Sequence, residues 1–102
     1  MFIAMNRFRI IKGKESQFED VWRNRDSRLS EVPGFVEFHL LKGPGTDAHT
    51  LYASHTVWKD EDAFVAWTKS EHFRASHKGA GARDSLYAGH PQFEGFNAVE
   101  GA

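Results

Sequence analysis

Apolar and polar residues alternate along residues 2–11, with the period of two that is typical of a β-strand. One face of this predicted strand carries Asn6 together with Phe2, Ala4, Phe8 and Ile10. A buried amide that lacks hydrogen-bond partners costs about 1–3 kcal/mol. Asn6 is therefore either bonded to backbone groups at a bulge or strand end, or it is a donor directed into a cavity. The pattern alone favours the backbone interpretation.

A helical period replaces this alternation over residues 14–29. Apolar side chains recur there at the spacing of one helix face: Phe18, Val21, Trp22 and Leu29. This spacing predicts an amphipathic helix that buries one stripe. Pro33 and Gly34 follow, and we expect them to end the connection to the next strand, because proline cannot continue a helix and glycine permits positive φ.

The middle of the chain predicts an antiparallel hairpin. Residues 35–41 and 49–58 have the composition of strands. Residues 42–47, between them, contain the Gly-Pro-Gly sequence of a turn.

Two helices and a last strand are predicted in the C-terminal half. Asp60 is a candidate N-cap for a helix that ends near residue 69, and Ser70 is a candidate N-cap for a second helix that ends near residue 78. A glycine-containing loop over residues 79–91 and a strand over residues 93–99 complete the series.

The resulting order, β-α-β-β-α-β, predicts a single α+β domain with a ferredoxin-like fold over residues 1–102. Both helices of such a unit cover the same face of the four-stranded sheet and leave the other face open. We expect a second copy of the chain to cover this open face, so the pattern predicts a homodimer.

Composition narrows the possible functions. Aromatic residues make up 14% of the chain, and there is no cysteine, which excludes disulfides, thiolate metal sites and a cysteine nucleophile. The formal net charge of −1 does not suit a nucleic-acid partner, and no apolar run approaches the roughly 18 residues of a membrane span. Without a signal peptide or a membrane segment, the sequence favours a cytoplasmic location.

An aromatic residue and an imidazole lie ten positions apart, at Trp67 and His77. On one continuous helix they would project about 80° apart, on adjoining faces. Phe73 and His77 are four positions apart and share a face in either case. Such a surface suits a flat ligand that needs a ring against its plane and a nitrogen to hold it. By pattern alone, however, a helical tryptophan is usually core, and a single helical histidine is usually a surface residue.

Residues 58–78 carry the spacing Trp-Lys-x-x-x-Ala-Phe-x-x-Trp-x-x-Ser-x-x-Phe-x-x-x-His-Lys. This run resembles the IsdG-like haem-degrading monooxygenases of the antibiotic-biosynthesis-monooxygenase superfamily. The resemblance extends to the first strand and to the turn at residues 32–35, so it spans most of the chain. It implies a dimeric α/β barrel with one site per subunit between sheet and helices.

The resemblance also implies residue roles. His77 falls on the position of the axial ligand to haem iron, and Asn6 on the position of the active-site amide that hydrogen-bonds the distal oxygen. Trp67 corresponds to the ring that presses the haem out of planarity. Beside these roles, Phe73 is expected either in the core or at the wall of the pocket next to His77. Arg83 either reaches anionic groups at the mouth of the pocket or is a solvated charge on a loop, and the sequence favours the solvated charge at least as much.

The function implied is haem degradation, in which haem is both cofactor and substrate and O2 opens the porphyrin ring. No glycine pattern for a nicotinamide or flavin is present, so the electrons must come from an external donor, a separate reductase. One alternative is a cofactor-free monooxygenase of the same superfamily that oxidises a polycyclic phenol to a quinone. Another is a non-enzymatic dimeric binding module whose aromatic residues are only core.

Overall fold

A computed structural model describes residues 1–25, 28–70 and 85–102. Its elements are β1 (Phe2–Ile11), α1 (Glu15–Asn24), a 3-10 turn (Leu29–Glu31), β2 (Phe35–Gly45), β3 (His49–Trp58), α2 (Glu61–Thr68) and β4 (Gln92–Asn97). The first and third strands have the predicted bounds, residues 2–11 and 49–58.

The four strands form one antiparallel sheet in the order β2-β3-β1-β4. This order, with α1 and α2 packed on one face, confirms the predicted α+β ferredoxin-like fold. Strand β1 is central, and its apolar face is buried as the alternation predicts, with Ile10 fully enclosed. Within the described residues, no helix is long and apolar enough to cross a membrane.

The prediction of one helix over residues 14–29 is wrong at its C-terminal end. Helix α1 ends at Asn24, and Arg25 has the extended backbone conformation φ −75°, ψ 142°. Arg28 has a left-handed conformation with φ 49°, and it precedes the 3-10 turn that contains Leu29. Leu29 is buried, but it is not part of the α1 stripe. Its spacing seven residues after Trp22 matched a helical period that the backbone does not continue.

The second strand extends beyond its predicted end at residue 41, to Gly45. Lys42 therefore belongs to a strand and pairs with Tyr52, whereas the sequence pattern placed it in a turn. A strand with Pro44 near its end is tolerated because β2 is at the edge of the sheet, where a missing N–H breaks no ladder bond. The last strand is shorter than predicted and ends at Asn97.

The start of α2 confirms two local predictions. Asp60 is the N-cap, and its carboxylate accepts a hydrogen bond of 2.8 Å from the backbone N–H of Ala63. Gly34 has φ +83°, and a Cβ at this position would clash with the Cβ of Ala63. Glycine is thus required here both by its backbone conformation and by the close approach of α2.

The helix-covered face of the sheet holds two separate hydrophobic clusters. One, at the α2 end, contains Phe2, Ala4, Leu29, Val32, Trp58 and Trp67. The other, under α1, contains Phe8, Ile10, Phe18, Tyr52 and Leu86. Asn6 lies between Ala4 and Phe8 along β1, and so between the two clusters.

Candidate functional site

A row of residues at the middle of the sheet forms the floor between the two clusters. Asn6 is in register with Ser54 on one side and with Phe93 on the other, and Ser54 is in register with Leu40. Residues directly opposite each other in antiparallel strands project to the same face. All four side chains therefore belong to the helix-covered face, with one amide and one hydroxyl among apolar neighbours.

The Asn6 amide is incompletely bonded. Its Oδ1 is buried and has no hydrogen-bond partner among the described residues. Hydrogen bonds to backbone groups, which the sequence pattern favoured for this amide, therefore do not account for its oxygen within the described residues. An unsatisfied buried polar atom is costly and is characteristic of positions where a ligand or water completes the bonding. This arrangement fits a polar contact to a bound molecule.

Trp67, on α2, forms the wall on one side of this floor. Its side chain is 8% exposed, and its ring lies 5.4 Å from that of Trp58 and 6.1 Å from that of Phe64. Phe64 in turn stacks on Phe93 of the floor row, with centroids 5.6 Å apart and planes 8° apart. Trp67 is therefore a core residue of the α2 cluster, and the ring wall extends from it across Phe64 towards Asn6's row.

A cavity of about 330 Å³ opens on the other side of the floor, between α1 and the β2–β3 hairpin. Its apolar lining comes from Trp22, Phe38 and Leu40. Trp22 and Phe38 stack with centroids 5.7 Å apart, and the Arg25 guanidinium lies 4.2 Å from the Trp22 ring centroid. Leu40 also belongs to the floor row, in register with Ser54, which is itself in register with Asn6, so the cavity lies beside the floor row on the same face of the sheet.

Glu19 organises the polar side of this cavity. Its carboxylate accepts hydrogen bonds from the Tyr52 hydroxyl at 2.5 Å and from Arg23 at 2.9 Å, and Lys42 Nζ lies 3.6 Å away. The Tyr52 bond, followed by the two cations, lowers the pKa of Glu19. Burial and the adjacent Glu19 carboxylate raise the pKa of Tyr52. At neutral pH the cavity therefore contains an ionised carboxylate and a neutral phenol.

Three of the predicted site residues, Phe73, His77 and Arg83, lie outside the described residues. The structure places Asn6 and Trp67 on the same side of the sheet, with Asn6 beside the cluster that contains Trp67. Among the described residues, no group of three or more histidine, aspartate or glutamate side chains is arranged to hold a metal ion.

Sequence reasoning missed the polar group of Glu19, Lys42 and Tyr52. One signal was present: Phe38, Leu40 and Lys42 continue an alternation of two past the predicted strand end. The hydrogen bond between Glu19 and Tyr52 joins residues 33 positions apart, and no local pattern reveals such a pair.

The fold is that of a small ferredoxin-like protein. Between its sheet and helices lies a cleft with both apolar and charged side chains, which suits a ligand site. Residues 1–79 match the family described as antibiotic biosynthesis monooxygenase, and the chain belongs to this family.

Individual relatives carry two kinds of chemistry. A haem-degrading monooxygenase of Bacillus thuringiensis (strain Al Hakam) is 30% identical over 81 residues, which cover 79% of this chain and 75% of the relative. The haem degrader MhuD of Mycobacterium tuberculosis, solved with two haems in its active site, has a TM-score of 0.76 at 24% identity, with 100% of this chain and 99% of MhuD covered. SnoaB, a cofactor-independent oxygenase of Streptomyces nogalater, has a TM-score of 0.68 at 26% identity, with 97% and 93% covered.

Proposed function

We propose that this protein is a haem-degrading monooxygenase that binds haem as cofactor and substrate, opens the ring with O2 and external electrons, and releases iron. The observation that carries the proposal is the buried Asn6 amide, whose oxygen lacks a partner among the described residues, in a cleft walled by aromatic rings. A flat, apolar molecule with a polar centre fits such a cleft. The relative named as a haem-degrading monooxygenase supports the same choice.

Each proposed residue has a distinct task. Haem iron supplies the oxygen chemistry when it is bound. The imidazole of His77 would hold the iron. The Asn6 amide would hydrogen-bond polar groups of the bound molecule, with its Nδ2–H as donor and its Oδ1 as acceptor. The ring wall of Trp67 and Phe64 would exclude water and press on the macrocycle. Phe73 and Arg83 complete the wall and the mouth.

A cofactor-free oxygenase is the second candidate, because SnoaB is as similar to this chain in identity as MhuD is. In that case Asn6 and the aromatic walls would bind a polycyclic phenol and stabilise its anion. The two candidates differ in their need for an iron ligand, so haemin distinguishes them.

Titration of the purified protein with haemin is expected to produce a Soret band of histidine-ligated haem, and ascorbate with O2 is expected to bleach it. His77→Ala should abolish both the ligation spectrum and the bleaching, because it removes the proposed iron ligand. His90→Ala is the control and should behave as the wild type. A protein that leaves the Soret band of free haemin unchanged would contradict haem degradation and favour the cofactor-free activity. Normal ligation in His77→Ala would show that another residue holds the iron.

A further inference from the structure

We propose that Lys42 binds a carboxylate on the rim of the ligand and thereby fixes the orientation of that ligand in the cleft. This inference rests on the proposed function, since it concerns the edge of the same site. The ligand class it implies is a flat, multi-ring molecule with anionic substituents at one edge, a description that the propionates of haem satisfy.

The position of Lys42 in the sheet suits this role. Lys42 follows Leu40 by two residues on β2, so both project to the helix-covered face that carries Asn6. Asn6 is two strands away, and strands lie about 4.8 Å apart with about 3.4 Å per residue along them, which gives about 12 Å between the two Cα atoms. A macrocycle is wide enough to extend over this distance and to contact both side chains.

Among the described residues, three cations lie around the cavity, and they differ in how firmly their present contacts hold them. Arg23 makes two short contacts, to Glu19 at 2.9 Å and to Asp20 at 3.1 Å. Arg25 is stacked over two aromatic rings of the cavity wall. Lys42 has a longer contact of 3.6 Å, and its side chain is 58% exposed. Arg23 is at least as exposed, at 66%, but it is held by two shorter contacts, so the weaker ion pair of Lys42 exchanges more easily for a new partner.

Glu19 is left well bonded when Lys42 turns to a ligand. Its carboxylate retains the hydrogen bonds from Tyr52 and Arg23. A carboxylate that keeps two donors, one of them charged, does not become an unpaired buried charge. It also repels the incoming ligand carboxylate less than a bare anion would. The exchange of Glu19 for a ligand carboxylate as the partner of Lys42 therefore costs little free energy.

The walls beside Lys42 fit the apolar body of the same ligand. Trp22, Phe38 and Leu40 line the cavity, and Leu40 is shared with the floor row. An apolar macrocycle that extends from Asn6 into the cavity buries its rings against these side chains and presents its rim to the solvent edge at Lys42. Apolar burial thus supplies affinity, and the lysine selects which edge lies at the mouth.

The test compares haemin with its neutral dimethyl ester in Soret titrations of wild type and Lys42→Met. Lys42→Met is expected to weaken haemin binding about three- to fivefold, the size typical of an exposed charge pair, and to leave the ester affinity unchanged. Lys42→Arg should restore haemin affinity. The difference between wild type and Lys42→Met should narrow at 0.5 M salt, because exposed charges are screened.

Lys12→Met is the matched control. Lys12 Nζ lies 3.9 Å from the Glu15 carboxylate with a 52% exposed side chain, so it resembles Lys42 in pairing and exposure without lining the cavity. Unchanged haemin affinity in Lys42→Met, or an equal loss for haemin and the ester, would overturn this inference while leaving haem binding intact. Failure of the wild type to bind haemin would overturn the proposed function together with it.

Discussion

At the scale of single residues, the Asn6 amide is the feature that most separates this cleft from an ordinary core. Its neighbours along β1 on the same face, Ala4 and Phe8, are both about 5% exposed and belong to apolar clusters. Placing an amide between them has a cost in stability, because a buried polar atom loses its water. The cost is understandable where the same amide contacts a ligand.

Asn6→Ala is expected to bind haemin nearly as well as the wild type but to degrade it at least tenfold more slowly. The apolar walls and the iron ligand supply most of the affinity, whereas the amide contact matters more in the transition state than in the ground state. Soret titration measures the affinity, and loss of the Soret band with ascorbate and O2 measures the rate. Degradation at the wild-type rate would remove Asn6 from the mechanism.

Trp67 is a core residue by its contacts, and the proposed function gives it a second role as a wall of the ligand site. Its contacts with Trp58 and Phe64 make it part of the core, as the helical spacing suggested. Phe64 then extends the same ring surface to Phe93 of the floor row. A wall that presses on a ligand has to be rigid, and burial in a ring cluster provides that rigidity.

At the scale of elements, α1 is attached to β3 by two polar contacts spaced one helical turn apart. The Thr50 hydroxyl donates to Glu15 at 2.8 Å, and the Tyr52 hydroxyl donates to Glu19 at 2.5 Å. Residues i and i+4 lie on one face of a helix, and alternate residues of a strand lie on one face of a sheet. The two periods therefore match, and they hold α1 in place over one side of the cleft.

Tyr52→Phe is expected to lower the free energy of unfolding by about 1–2 kcal/mol at pH 7, since it removes a hydrogen bond to a charged acceptor. The lowered pKa of Glu19 means that this contribution is complete above the ordinary value of 4.5 and is lost as the pH falls below it. Urea unfolding at pH 7 and at pH 3 should show a smaller difference between variant and wild type at the lower pH.

Glu19→Gln provides the control for this pH effect. It keeps the size of the side chain and an acceptor oxygen for Tyr52 but removes the titrating group. The difference in free energy of unfolding between Glu19→Gln and Tyr52→Phe should therefore change less from pH 7 to pH 3 than the difference between wild type and Tyr52→Phe. An equal difference between Tyr52→Phe and wild type at pH 7 and pH 3 would show that the Glu19 charge does not strengthen the bond.

At the scale of the whole molecule, none of the described helices packs on the sheet face opposite α1 and α2. Large apolar side chains on it are exposed, with Leu41 at 41% and Phe96 at 47%. Phe96 is in register with Ile3, and Leu41 with Ala53, so each exposed side chain has an apolar neighbour on the adjacent strand. We propose that a second copy covers this face, as the element order predicts.

Sedimentation equilibrium at micromolar concentration is expected to give twice the single-chain mass of 11.6 kDa. Phe96→Lys should shift the equilibrium towards the monomer, because it places a charge in the proposed interface. Val99→Lys is the control: Val99 is 75% exposed and lies beyond the end of β4. A wild type that sediments only as a monomer would refute the dimer.

Much of the fold was determined by the sequence itself, because its signals are local. Alternation over residues 2–11 identified both β1 and its buried face, and Asp60 marked the start of α2. The same reasoning failed at Leu29. Its spacing from Trp22 fits a helical period, but the residue lies in a 3-10 turn beyond the end of α1.

The tertiary structure alone decided which distant residues meet in the cleft. A period shows the face of an element that a residue occupies, but not the element that faces it. Strand pairing brought Lys42 beside Tyr52, and helix packing brought Glu19 to both. An edge position allowed β2 to continue past the predicted turn, since Pro44 breaks no ladder bond there. These outcomes depend on register and layer order, which are properties of the assembled sheet and not of any segment within it.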